Sequence, residues 1–339
     1  MKLIKDLEAN ETVTSYAQIR LKQLRLKKNG ESYLRLVLRD RSGQIETKIW
    51  NNVEDCDGRI NEGDLIKYQG LVQHYGGTKQ LVVEKIRKTV AEDRMSGFDE
   101  GEMIPRTEHD IEEMWERLHS AVMEHTSRPC VRELLNNVLK KNEEKIKTYP
   151  AGVEIHHNYW GGLLEHVLSV LESALFFADK YPELDKDLLV AGAVLHDIGK
   201  LEELSTPENP AYTVRGRLIG HVVMGSILVR AEASEISDFP PLLLTQLEHL
   251  ILSHQGQPEW GSPKQPQTME ALILHYIDDL DSKLNRFHRV VKDDQGDSDF
   301  TVFDRHLGRA IFKGDRDRRQ DPELDKDLLV AGAVLHDIG

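Results

Sequence analysis

"PELDKDLLVAGAVLHDIGK", Pro182–Lys200, is an apolar run that reads as a helix and ends on a His-Asp pair, His196–Asp197. Its first eighteen residues recur without change at Pro322–Gly339. A histidine beside an aspartate offers two ligating groups to a cation, and two groups alone do not close a tight metal site. The meaning of the run therefore depends on what other parts of the chain bring to it.

Around the first copy the chain is helical in pattern from residue 107 onward. "IEEMWERLHSAVM" sets Ile111, Met114, Trp115, Leu118 and Val122 on one stripe at helical spacing. "LLEHVLSVLESALFFADKY", "HVVMGSILVRAEAS", "PLLLTQLEHLILSH" and "TMEALILHYIDDLDSKLNRFHRVV" read as further helices. Several carry a histidine or an acid at or near an end: His166, His221 and His254, with Asp278 in "HYIDD". The second copy, with His336 and Asp337, has no second "LLEH", "SHQG" or "YIDD" around it and no lysine matching Lys200. Catalysis is not expected there, and 314–339 is expected to be a non-functional tail.

The front of the chain reads differently. Residues 12–88 hold short alternating strands, with Leu34, Leu36 and Leu38 on one face and Tyr33, Arg35, Val37 and Arg39 on the other. Asn29-Gly30 is expected to form the two centres of a type I′ hairpin turn. "QIETKIW", "DLIKYQGLV" and "KQLVVEKI" bring the count to five strands, which suits a small closed barrel. Residues 91–106 are polar and weakly periodic and read as a linker. The expected organisation is a strand domain over 1–90, that linker, and a helical domain over 107–313.

Charge divides along the same line. Residues 1–90 hold 17 Lys and Arg against 12 Asp and Glu, whereas the remainder holds 27 against 46. A mildly basic front and a strongly acidic rear point to two tasks. No apolar run approaches the roughly 20 residues of a membrane span, and the N-terminus lacks the apolar core of a secretory signal. Cys56 and Cys130 are the only cysteines and stand in no metal-type spacing, so a cytoplasmic protein without disulfides is expected.

One histidine on an apolar helix is ordinarily a satisfied core residue, but several in the order H…HD…H…H…D are far more specific. Imidazole and carboxylate on rigid helices suit a divalent transition metal. Such ions lower the pKa of bound water and neutralise phosphate oxygens, making hydroxide available for in-line attack on phosphorus. This order resembles the HD superfamily of metal-dependent phosphohydrolases. The contexts "HHNYWGGLLEHVLSV", "LHDIGK" and "SHQGQPEWGSP…TMEALILHYIDDLDSK" are similar to the YhaM family of 3′→5′ exoribonucleases, from residue 12 to about 313.

The resemblance implies a multidomain α+β chain: an N-terminal five-stranded OB-fold β-barrel followed by an all-α HD domain. It further implies that His166, His196, Asp197 and Asp278 are core metal ligands, with His221 and His254 holding a second ion. Gln255 departs from the "SHHG" often found in the family, which weakens or alters the second site. Manganese is the implied metal, and N/O ligation also permits iron, cobalt or nickel. The implied activity is stepwise hydrolysis of single-stranded RNA, or DNA, to 5′-mononucleotides. Hydrolysis of free nucleotides and non-catalytic nucleic-acid binding are the alternatives.

Further candidates follow from residue chemistry. Lys200 is placed to hold a phosphate oxygen, and His156 and His157 to donate to the scissile phosphate or leaving oxygen. Arg215 and Arg217 are candidate phosphate contacts. On the strand domain, Arg20, Lys22, Tyr33 and Arg35 are the favoured contacts to a single strand, by cation and by stacking. Tyr75 is a further stacking candidate, and Trp50 is expected to lie in the core. Asp279 and Asp281 are expected to face solvent. The sequence carries no signal of oligomeric state.

Overall fold

Thr12–Leu26, β1, is long enough to serve two halves of a sheet at once. Its first part, Thr12–Gln18, pairs antiparallel with β4 (Leu65–Tyr75), and its second part, from Gln18, with β2 (Ser32–Asp40). A register irregularity between Ile19 and Leu21 marks the changeover, where an extra residue bends a strand. β2 continues antiparallel to β3 (Gly43–Ile49), while β5 (Thr78–Lys88) pairs antiparallel with β4 and parallel with β3. The order β1-β2-β3-β5-β4 closes the barrel. This computed structural model describes residues 1–314 except 28, 76–77, 154–156, 208–209, 295 and 297. The repeated C-terminal run lies outside the described residues.

Leu34, Leu36 and Leu38 are fully buried in the barrel, as their alternation predicts, each contributing roughly 1.5–3 kcal/mol relative to exposure. At Gly70 a Cβ would lie 2.4 Å from the Val82 carbonyl oxygen, so the β4–β5 ladder needs glycine there. The β1–β2 turn differs from expectation. Its closing bond runs from Gly30 N–H to the Lys27 carbonyl, so Gly30, at φ 87°, ends the turn rather than forming one of its two centres. A helix not anticipated from the sequence, α1 (Val53–Arg59), stands between β3 and β4. Residues 91–106 contain two 3₁₀ turns, and their Phe98 and Met103 are buried in a cluster with Tyr16.

The helical part comprises α2 (Ile111–His125), α3 (Pro129–Thr148), α4 (Gly162–Lys180), α5 (Lys186–Leu195), α6 (Lys200–Glu203), α7 (Val214–Ile219), α8 (His221–Ser234), α9 (Pro241–Ser253) and α10 (Met269–Asp293). Every residue of α5 from Asp187 onward is buried, which explains its unbroken apolar character. The acids preceding that run are structural. Asp185 caps α5 by accepting from Leu188 N–H, and Asp187 accepts from Ser127 and Arg128 N–H at the entry to α3. α5 ends at Leu195, one residue earlier than the His-Asp pair, so His196 and Asp197 occupy the turn into α6.

The chain separates into two compact units, Met1–Ser282 and Lys283–Gly339. Within the second, Phe300 bridges to Phe312 and Asp304 to Arg309, and Lys313 donates to Asp294 at 2.6 Å. No described helix is long and apolar enough to cross a membrane. Cys56 and Cys130 are free thiols.

Candidate metal centre

Four helix ends and one helix interior converge on Asp197. His166 lies in the first turns of α4, His196 caps the C-terminus of α5, His221 opens α8, and His254 caps the C-terminus of α9. Asp278 comes from α10. His166, His196 and His254 are fully buried, and Asp197 is 1% exposed.

Close backbone contact makes this convergence possible. Gly199 takes φ −64°, so it is not the left-handed helix stop that its position suggests. A Cβ there would lie 2.0 Å from the His221 carbonyl oxygen and 2.7 Å from Gly225 N. The glycine lets the His-Asp turn rest against the start of α8, bringing His221 beside Asp197. Gly162 plays the same part at the start of α4, where a Cβ would meet the His157 carbonyl oxygen at 2.0 Å.

The two carboxylate oxygens of Asp197 face different histidines. Oδ2 lies 3.5 Å from Nε2 of both His166 and His196, and Oδ1 lies 3.5 Å from His221 Nε2 and 3.7 Å from His254 Nε2. Asp278 Oδ1 joins the first group, 3.2 Å from His166 Nε2 and 3.8 Å from His196 Nε2. The ligating atoms of His166, His196 and Asp197 fall within 4.8 Å of one another, as do those of Asp197, His221 and His254.

Each ring is oriented through its other nitrogen. Nδ1 of His166 donates to Asp281 Oδ2 at 2.7 Å, Nδ1 of His196 to the Ala193 carbonyl at 2.9 Å, Nδ1 of His221 to Glu203 Oε1 at 3.1 Å, and Nδ1 of His254 to the Ile251 carbonyl at 2.7 Å. These partners are acceptors, so they fix the proton on Nδ1 and turn all four Nε2 atoms toward Asp197. Asp197 Oδ1 and His221 Nε2 are buried and have no hydrogen-bond partner among the described residues. Two buried lone pairs facing each other are costly to leave unmatched, and a cation satisfies both. The donor set, imidazole nitrogen with carboxylate oxygen, fits a divalent metal.

The electrostatics agree. Burial opposes charge on Asp197, yet Lys200 and His196 outweigh it and hold the carboxyl well below its ordinary range. Burial, with His196 next, pushes His254 down to about 3, leaving a neutral ring. At His166 burial is overcome by Asp197, Asp278 and Asp281, which raise the ring well above its ordinary value. The pocket demands positive charge.

Several expectations need correcting. Asp281 does not face solvent: its side chain is 16% exposed, and it accepts from His166, from His157 Nε2 at 3.0 Å and from Ser169 Oγ at 2.5 Å. The signal was available, because Asp281 follows Asp278 by three residues and so shares its helix face. His157 is buried with Nε2 on Asp281 and Nδ1 beside the Tyr159 hydroxyl at 2.8 Å, behind His166 rather than open to a substrate. His156 lies outside the described residues. Lys200 is 6% exposed, with Nζ 2.5 Å from Asp197 Oδ2. Arg215 pairs with Glu202 at 2.5 Å, and both Arg215 and Arg217 are exposed on α7, just before His221.

On the barrel, Arg20 donates to the Val153 carbonyl at 3.3 Å, and Lys22 holds the end of α1 through the Asp57 and Ile60 carbonyls at 2.7 Å each. Arg35 is held bidentately by Glu46 at 2.6 and 2.7 Å. These three cations are engaged within the protein. Trp50 is not core: it is half-buried and stacks on Tyr33, with ring centroids 4.8 Å apart. Lys27 and Lys48 stand over Trp50 at 5.4 and 5.5 Å, and Lys48 also stands over the exposed Tyr75 at 5.1 Å. The aromatic platform of the barrel is thus Tyr33–Trp50, flanked by Lys27 and Lys48.

Comparison with known proteins agrees with both halves. The OB-fold nucleic acid binding domain family matches residues 13–89, and the HD domain family matches residues 163–283. The chain is 38% identical over 288 residues to the 3′-5′ exoribonuclease YhaM of Bacillus subtilis, covering 84% of this chain and 89% of that protein. Its identity to the same-named protein of Bacillus pumilus is 36%, covering 86% and 91%. The corresponding protein of Listeria monocytogenes is 38% identical, again covering 86% and 91%. With a closed OB barrel, a helical HD domain able to hold divalent metal, and this likeness along nearly its whole described length, the chain belongs to the YhaM family of 3′-5′ exoribonucleases.

Proposed function

We propose that this protein shortens single-stranded RNA from its 3′ end, one nucleotide at a time, releasing 5′-mononucleotides, and that it also accepts single-stranded DNA. The observation that carries the reading is the division of Asp197 between two histidine sets, with Oδ1 and His221 Nε2 buried and unmatched. In this reading His166, His196, Asp278 and Asp197 would hold one divalent cation, and Asp197, His221 and His254 would hold a second. Manganese is the expected ion. When bound, such ions supply an activated water nucleophile and neutralise phosphate charge.

The chain's own groups do the rest. Lys200, buried beside Asp197, holds a non-bridging phosphate oxygen and keeps the phosphodiester in register. Asp281 and His157 keep His166 oriented. Tyr33 and Trp50 offer stacking surface to successive bases, and Lys27 and Lys48 meet phosphates, a combination that binds single strands with little sequence choice. Arg215 and Arg217 extend the cationic path beside His221. Residues 1–90 form the binding domain and 107–313 the hydrolytic one, in a cytoplasmic protein.

The test is a 5′-labelled single-stranded RNA incubated with Mn²⁺ and either the wild type or Asp197→Ala. Stepwise 3′ shortening with release of 5′-monophosphates by the wild type alone is expected. Intact RNA beside hydrolysed free nucleotides would make the protein a nucleotide phosphohydrolase. RNA binding without either reaction would make it a binding factor, and equal degradation by Asp197→Ala would discard the site.

A further inference from the structure

Gln255 follows His254 directly, and its side-chain nitrogen lies 2.9 Å from His254 Nε2. His254 Nδ1 is committed as a donor to the Ile251 carbonyl at 2.7 Å, so Nε2 carries the lone pair and can only accept. The amide –NH₂ of Gln255 is therefore the group that faces the ring, since its carbonyl oxygen there would set two lone pairs against each other. His254 Nε2 is thus occupied by a donor, whereas its neighbours Asp197 Oδ1 and His221 Nε2 have no hydrogen-bond partner among the described residues.

We propose that Gln255 is an internal cap on the second cation subsite, so that the chain takes its two ions in unequal steps, the second having to displace the Gln255 amide from His254. This rests on the reading of the cluster as a two-cation centre. In the first group His166 Nε2 and His196 Nε2 lie 3.1 Å apart and face Asp197 and Asp278. A net hydrogen bond of ordinary strength corresponds to roughly a three- to tenfold handicap on the second ion. Gln255 acts through His254 and is a positioning residue.

The experiment is a titration of the full chain with Mn²⁺ alone, counting bound ions by electron paramagnetic resonance and calorimetry, for the wild type, Q255A, Q255L and D197A. The wild type should show two unequal steps. Q255A and Q255L should both tighten the second step by roughly three- to tenfold and leave the first unchanged. A second step unchanged or weaker in Q255A would overturn the proposal, as would tightening in Q255A but not in Q255L, which would make bulk the cause. If the wild type binds no more Mn²⁺ than D197A, the metal reading itself fails, a result distinct from failure of the cap.

Discussion

Asp281 offers the sharpest quantitative prediction, because it touches the centre only through His166. One oxygen accepts from both His166 Nδ1 and His157 Nε2, and the other accepts from Ser169 Oγ. Asp281→Asn can keep its carbonyl toward the two rings and turn its –NH₂ toward Ser169, so orientation survives while the negative charge is lost. Asp281→Ala removes both, leaving two buried N–H groups without an acceptor. Outer partners of a ligating histidine typically contribute 10- to 100-fold in metal affinity, or about 1.4–2.7 kcal/mol. Asp281→Asn should sit near the lower figure and Asp281→Ala near the upper. Asp281→Ala should also lose about 1–3 kcal/mol of stability for each orphaned donor. Isothermal titration with Mn²⁺ and denaturant unfolding of the metal-free protein measure the two effects separately. Wild-type affinity in Asp281→Ala would show instead that His166 needs no orienting partner.

Other expectations follow from single interactions. Trp50→Ala should weaken single-stranded RNA binding by about 1–3 kcal/mol in fluorescence anisotropy, and replacing Lys27 and Lys48 together should lower the salt slope by about 0.7 for each phosphate no longer neutralised. Lys200→Met should lower kcat by about 100-fold, the usual size for losing one charge-stabilising donor, without lowering Mn²⁺ affinity, since it removes a positive charge from beside Asp197. Gly199→Ala should cost about 3 kcal/mol in chemical denaturation, because its Cβ would strike the His221 carbonyl and nothing flexible can yield. Asp93 is held below the ordinary carboxylate range chiefly by Arg87, with Val90 N–H and Lys67 adding to it against burial. A depressed folded pKa contributes stability above the unfolded value near 4 and loses it as pH falls further. The wild type should therefore lose thermal stability below about pH 4 more steeply than Asp93→Asn; parallel profiles would count against the Arg87–Asp93 link.

The barrel was legible because period-two burial leaves a plain record: Leu34, Leu36 and Leu38 had to share a face, and all three are fully buried. The candidate histidines were legible because imidazoles at apolar helix ends are unusual together, and the structure brings them around one carboxylate. What stayed hidden depended on tertiary approach. The need for glycine at 199 lies in the backbone of α8 passing directly against it. Trp50 at the end of a strand carries the same letter whether it points into a barrel or stacks on Tyr33. The charges of Lys22 and Arg35 were plain, but not that Asp57 and Glu46 already match them. Asp281 was readable from its helical spacing to Asp278. His157 was not, since only the fold sets it behind His166.

Asp197 is expected to be shared between two cations. Crystals grown with Mn²⁺ and measured at the manganese absorption edge test it directly through anomalous scattering. Two peaks are predicted, one among His166, His196, Asp278 and Asp197 and the other among His221, His254 and Asp197, with the second weaker. Manganese bound elsewhere, or no peak touching Asp197, would contradict the account.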